Sequence, residues 1–219
     1  MYYVGMARTA YKKTSYHHGD LREALILAGE STLHDLGLQG FTLRECARRA
    51  GVSHAAPKHH FENVRGLLTA VATRGFDRLA TTIVTHMKSA GADLDDQFFA
   101  VAHAYQEFAH ACPEHFRIMF RSDLLDMESE AFCEATRQTY VEMTNMIRRQ
   151  HGEPDLTAAD LSVALESEQL LSDILLGWCH VHGYAHLRLE GQLAIVPEAL
   201  QEQMMRGAAS RLGGLIRGG

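Results

Sequence analysis

The sequence predicts an all-α chain of about nine helices, a small N-terminal three-helix unit followed by a larger helical one. Three observations predict it. Apolar residues recur at spacings of three and four, with no run of strict alternation. Residue pairs suited to start helices precede several of these stripes. Only 4 prolines occur in 219 residues. Hydrophobic residues make up 46% of the chain, enough to bury a sizeable core.

The elements follow in order. Residues 1–18 lack periodicity and read as a basic arm carrying Arg8, Lys12, Lys13, His17 and His18. Asp20 and Glu23 have capping-box spacing, and Leu21, Leu25 and Ala28 form the stripe of a first helix that ends at Gly37. Thr42 and Glu45 form a stronger capping box, in which the glutamate is expected to reach back to the threonine amide. This second helix covers 43–50. Ser53 is the expected N-cap of a third, running to about 61. A fourth covers about Val64–Ser89, with Leu67, Leu68, Val71 and Phe76 on its buried side.

Beyond it, Gly91–Asp96 reads as a turn, and Phe98, Val101, Ala102, Tyr105 and Phe108 mark a fifth helix. Pro113 opens a short sixth, and a seventh covers about 126–150. Gly152-Glu153-Pro154 is a break. A single long apolar helix is expected over about 157–185, and an amphipathic one over about 197–216.

Charge divides the chain. Residues 1–78 hold 11 Lys+Arg and 7 Asp+Glu, whereas residues 79–219 hold 10 and 20. A front half at +4 and a back half at −10 suit a chain whose front meets a polyanion. Cys46, Cys112, Cys133 and Cys179 are scattered, without a CxxC pair, as in reduced cytosolic proteins. With neither a signal-peptide run nor an apolar stretch of roughly 20 residues, the expectation is a cytoplasmic protein with no membrane partner.

Residues 42–61 meet the physical needs of a helix-turn-helix. The crossing of two short helices wants a small side chain, and Ala47 supplies it. The turn wants a residue tolerant of positive φ and an apolar one pointing inward, and Gly51 and Val52 supply these. The second helix then presents His54, Ala55, Lys58 and His59, short or polar side chains suited to a major groove.

The segment Phe41-Thr42-Leu43-Arg44-Glu45-Cys46-Ala47-Arg48-Arg49-Ala50-Gly51-Val52-Ser53, with His60-Phe61 and Leu67-Leu68 after it, resembles the DNA-binding domain of TetR/AcrR-type transcriptional regulators. The lead-in Tyr16–Arg22 resembles one branch of that family. The resemblance implies a basic arm (1–18), a helix-turn-helix DNA-binding domain (19–80) and a helical effector-binding and dimerisation domain (81–219). It implies a homodimeric repressor released from double-stranded operator DNA by a small-molecule effector, with no enzymatic activity and no cofactor. The DNA-facing residues implied are Thr42, Arg44, Ser53, His54, Ala55, Lys58, His59, His60 and Arg65. Arg48 and Arg49 divide evenly between DNA contact and a solvated helix face. Lys58 stands where the family usually has tyrosine, and Val64 where it usually has lysine. With Pro57 inside the reading helix, these keep a second reading open: a small-molecule or metal-binding protein with a degenerate DNA-binding domain.

The acidic half shows no nucleophile–base pair, phosphate loop or persuasive metal spacing. His182 and His186 are four apart on a helix, but packed or solvent-facing histidines are the commoner case, and no metal site is predicted. Trp178-Cys179-His180-Val181-His182-Gly183 resembles a Trp-x-x-x-His-Gly signature of one TetR-type branch. Phe99, Phe116, Met119 and Phe120, with Trp178 and His182, are the expected effector pocket. Leu161, Leu165, Leu171, Ile174, Leu175 and Trp178 exceed what one bundle face needs. Two such helices meeting their symmetry mates would make a four-helix dimer interface. Half-sites would then lie roughly 34–36 Å apart or a multiple of that.

Overall fold

A computed structural model describes residues 18–218, with side chains for all of these except 18–20 and 163–165. The arm proper and the side chains of Asp20 and Leu165 therefore lie outside the described residues. Nine α-helices follow in order: α1 His18–Gly40, α2 Leu43–Arg49, α3 Ala56–Phe61, α4 Val64–Ser89, α5 Leu94–Ala111, α6 Pro113–Met119, α7 Glu130–Gln150, α8 Glu168–Leu189 and α9 Glu198–Gly218. Residues Ala158–Glu166 form a 3₁₀ segment. No strand occurs among the described residues, so the predicted all-α class is what the chain adopts.

α1 begins by His18, earlier than a cap at Asp20 would allow. Its regular course breaks at Gly37 (φ 62°, ψ −171°), a positive-φ position that favours glycine. α2 and α3 cross beside α1, with Cys46 and Ala47 fully buried at the crossing. The small Ala47 lets the helices approach as the sequence suggested. α4 is the axis of the molecule, touching α1 and α3 on one side and α5, α6 and α7 on the other. Buried apolar side chains form one continuous cluster, from Leu25 on α1 through Leu67, Val71 and Phe76 on α4 to Ile216 on α9.

Three expected boundaries are corrected. α5 starts at Leu94, because Leu94 is buried and Asp93 caps the helix by accepting from the Asp95 amide at 2.8 Å. Asp95 and Asp96 then favour the positive end of the helix dipole. α7 starts at Glu130, after a loop of turns at 120–129. The long helix expected over 157–185 is two elements. Ser167 is extended and its Oγ accepts from the Leu170 amide at 3.3 Å, starting α8 afresh. Upstream, the chain is pinned to the end of α7. Asn145 exchanges two hydrogen bonds with the Leu156 backbone (2.9 and 2.8 Å), and Arg148 donates to the Pro154 carbonyl at 2.9 Å. The apolar run alone hid this break.

Candidate nucleic-acid interface and ligand pocket

Thr42 is the N-cap of α2, its Oγ1 accepting from the Glu45 amide at 3.1 Å. The reciprocal half of the capping box is absent. The Glu45 carboxylate instead accepts from Arg48 (2.8 and 2.6 Å) and Arg49 (2.8 Å). Charge-assisted bonds from guanidinium outcompete a neutral amide. The hydrogen bonds from Arg48 and Arg49 hold the Glu45 carboxyl down at about 2. Arg49 also donates to Asp35 and to Ser31, tying α2 to α1. Arg48 and Arg49 are thus occupied by the chain itself.

The turn between α2 and α3 has Gly51 at φ 68°. The Val52 amide donates to the Ala47 carbonyl at 3.0 Å, and Val52 packs against the core. Ser53 is not the N-cap of α3; that position is Ala55, with no side-chain hydrogen bond. An N-cap carbonyl takes the amide hydrogen four residues on, and here that residue is Pro57, which has none. The Ser53 carbonyl instead accepts from Ala56 in a turn, and the helix starts two residues late. Pro57 is buried in the first turn of α3, where its missing donor is tolerated.

Arg44, Ser53, His54, Ala55, Lys58 and His59 are exposed, and His60 is half-buried. Among the described residues, neither Arg44 nor Lys58 has an ion-pair partner. Arg65 is differently employed: its guanidinium donates to the Asp123 carbonyl, 3.1 Å away on the loop after α6. Asn63, unnoticed in the sequence, caps α4 by accepting from the Gly66 amide at 3.1 Å. Beside it Glu62 has φ 59° and hinges α3 into α4.

A second feature lies in the acidic half. A cavity of about 340 Å³ opens between α4, α6, α7 and α8. Met119, Phe120, Trp178 and His182 line it, as expected from sequence. Phe116 and Phe99 do not. Phe116 is fully buried behind the wall, edge-on to Tyr105 and stacked near His182. Phe99 lies under the Arg206 guanidinium, 3.7 Å from the ring centroid. The walls that sequence reasoning missed come from Phe76, Phe132, Thr136, Tyr140 and Cys179, and from Ser122 and Met127 on the 120–129 loop. They come from segments far apart in sequence, and no local motif marks them.

None of the side chains lining this cavity is Asp, Glu, Lys or Arg. His182 Nδ1 lies 2.8 Å from the Tyr105 hydroxyl. Burial, helped by neighbouring His186, lowers the His182 pKa to about 4, so the ring is neutral at pH 7. Burial raises the Tyr105 phenol, which keeps its proton. Trp178 Nε1 is buried near the Tyr105 hydroxyl and meets no acceptor in good hydrogen-bond geometry. The cavity is therefore uncharged and largely apolar.

Two short crossed helices, a positive-φ turn and outward-facing cations, joined by one long helix to an all-helical body, define a helix-turn-helix DNA-binding regulator. The family model described as "Tetracyclin repressor-like, C-terminal domain" matches residues 98–209. Tetracycline repressor protein class C of Escherichia coli is 39% identical over 75 residues, 34% of this chain and 32% of that protein. The HTH-type transcriptional regulator BetI of Stenotrophomonas maltophilia (strain R551-3) is 31% identical over 80 residues, 36% of this chain and 41% of that protein. These matches thus span about a third to two fifths of the curated relatives' length. A solved structure of a protein with unknown function from Rhodococcus sp. RHA1 has a TM-score of 0.71 and 29% identity, over 92% of this chain and 97% of that one. The chain belongs to the TetR family of transcriptional regulators. No helix among the described residues is long and apolar enough to cross a membrane.

Proposed function

We propose that the protein is a homodimeric repressor that leaves its operator when a neutral, largely apolar small molecule fills the cavity beside Trp178. The observation that carries this is the uncharged cavity, walled in part by the same α4 that begins directly after the reading helix. An apolar ligand gains from burial there. Residues 19–80 are read as the DNA-binding part. Thr42, Arg44, His54, Ala55, Lys58, His59 and His60 are its contacts, with Ser53 at the edge. Arg65 joins them only by releasing Asp123.

Connectivity supports a route of coupling. The 120–129 loop lines the cavity through Ser122 and Met127. The same loop holds the first half of α4, through Arg65 to the Asp123 carbonyl and the Asp126 amide to Thr69 Oγ1 at 2.9 Å. Phe76 in the wall is held at its carbonyl by Thr139 of α7. A ligand that displaces the loop or Phe76 thus acts on the helix that aims α3. A dimer is supported by apolar side chains left exposed on two helices: Leu175, Leu176 and Leu187 on α8, and Leu200, Met204 and Leu215 on α9.

Selection of genomic fragments by the purified protein tests DNA binding, and gel shifts with added neutral apolar compounds test release. Thr136→Trp, which fills the cavity, is expected to keep operator affinity and lose release. If no fragment is enriched while apolar ligands still raise Tm, the second reading, a ligand-binding protein with a degenerate DNA-binding part, replaces this one.

A further inference from the structure

Outside the two features above, the far end of α4 and the face of α5 carry a group of donors that the regulator reading does not use. His103 and Glu107 are four apart on α5 and so share a face. His86, near the end of α4, lies across from them. One ligand atom from each of His86, His103 and Glu107 can be chosen so that all lie within 4.8 Å of one another. His86 Nε2 is 2.8 Å from Glu107 Oε2, and the His86 and His103 rings are 5.0 Å apart.

We propose that His86, His103 and Glu107 form a binding site for a divalent transition-metal ion of the zinc or cobalt type. Two imidazoles and a carboxylate suit borderline ions, whereas calcium and magnesium take oxygen ligands. Ligand bonds of roughly 2.0–2.1 Å put tetrahedral donors about 3.3 Å apart. The present spacing reaches that by small rotamer changes, with the ion replacing the proton between His86 and Glu107. Three protein ligands leave a fourth position, and His103 and Glu107 are exposed, so that position opens to water. The two α5 ligands also border a cavity of about 290 Å³ that includes His110, Glu198 and Glu202. Arg188 and Arg206 pair with these glutamates at 3.1 and 3.8 Å. The surroundings thus offer a further imidazole, while the charges of the two glutamates are matched by the two arginines. The bound ion would brace α4 against α5.

The site is independent of the DNA and effector readings, and its test needs neither. The full chain, stripped with a chelator, is titrated with Zn²⁺ by calorimetry and with Co²⁺ by visible absorption. One equivalent per chain, micromolar or tighter, with tetrahedral cobalt bands and a Tm raised by several degrees, is the expected result. His103→Ala and Glu107→Gln are each expected to weaken binding at least tenfold, while melting like the parent in chelator. His186→Ala and the double change His17→Ala, His18→Ala, which break up two other closely spaced histidine pairs, are expected to leave the affinity unchanged. Absence of saturable binding in the parent, or equal affinity in His103→Ala and the parent, overturns the proposal. Loss of binding only in the control variants moves the metal elsewhere and overturns it equally.

Discussion

Arg44 and Lys58 differ from Arg48 and Arg49 in one physical respect: the latter two have spent their charge inside the chain. Glu45 takes both guanidinium groups, and Arg49 also bridges to α1 through Asp35 at 2.5 Å. DNA affinity is therefore expected to rest on the first pair. In gel shifts, Arg44→Ala and Lys58→Ala should each weaken operator binding about tenfold and flatten the salt dependence by about one charge. Arg48→Ala should do less. His182 sets a second expectation at this scale. Its folded pKa of about 4 lies below the ordinary 6.5, so the unfolded chain binds the proton more readily. This residue's contribution is complete above pH 6.5 and is lost as pH falls toward 4. Melting curves from pH 7 to 4.5 should decline less steeply in His182→Gln than in the parent. Some slope remains, because burial lowers His180 in the same direction. An identical slope in the two proteins would refute the assignment.

At the scale of elements, the two candidate caps of the helix-turn-helix part company. Thr42 caps α2, so Thr42→Ala should cost about 1 kcal/mol, which is a fall in Tm of roughly 2–4 °C for a chain this size. Ser53 caps nothing, so Ser53→Ala should leave Tm nearly unchanged, and thermal melts of the two variants separate the roles. In sequence the two residues look alike, and what distinguishes them is the missing hydrogen on Pro57, four positions after Ser53. The same contrast runs through the chain. α4 was legible to the residue and α6 in its start, because an apolar stripe and a proline mark them. The start of α5 was not, because a buried Leu94 sits among acidic residues that read as a turn. Nor was the break at Ser167, where an apolar run masked a cap. Half the aromatic wall of the cavity was legible as a cluster. Phe76, Phe132 and Tyr140 were not, because they reach the cavity only when α4 and α7 pack side by side.

At the scale of the molecule, the exposed leucines of α8 and α9 and the polar bond between its two ends each make an expectation. For the proposed dimer, the double change Leu176→Glu, Leu215→Glu, at two exposed apolar positions, should shift light scattering from dimer to monomer, because it would set like charges of the two copies against one another. The polar bond centres on Glu30 of α1. Its carboxylate meets Arg74 at 3.2 Å and Arg78 at 3.0 Å on α4, and His115 at 3.0 Å on α6. Burial opposes ionisation of Glu30, but the His115 hydrogen bond and the charges of Arg78 and Arg74 prevail, and its pKa lies below 4.5. Helices α1, α4 and α6 thus share one charge. Glu30→Gln keeps the shape and removes that charge, leaving two guanidinium groups beside a neutral amide. A loss of about 2 kcal/mol is expected at pH 7, the worth of hydrogen bonds to a charged partner. A carboxyl with a lowered folded pKa stabilises above its unfolded value and loses that contribution as pH falls through the folded one. The gap in Tm between parent and Glu30→Gln should therefore be full at pH 7 and narrow below pH 4.5. A gap that stays constant down to pH 3 would mean the carboxylate is not what joins α1 to α4 and α6.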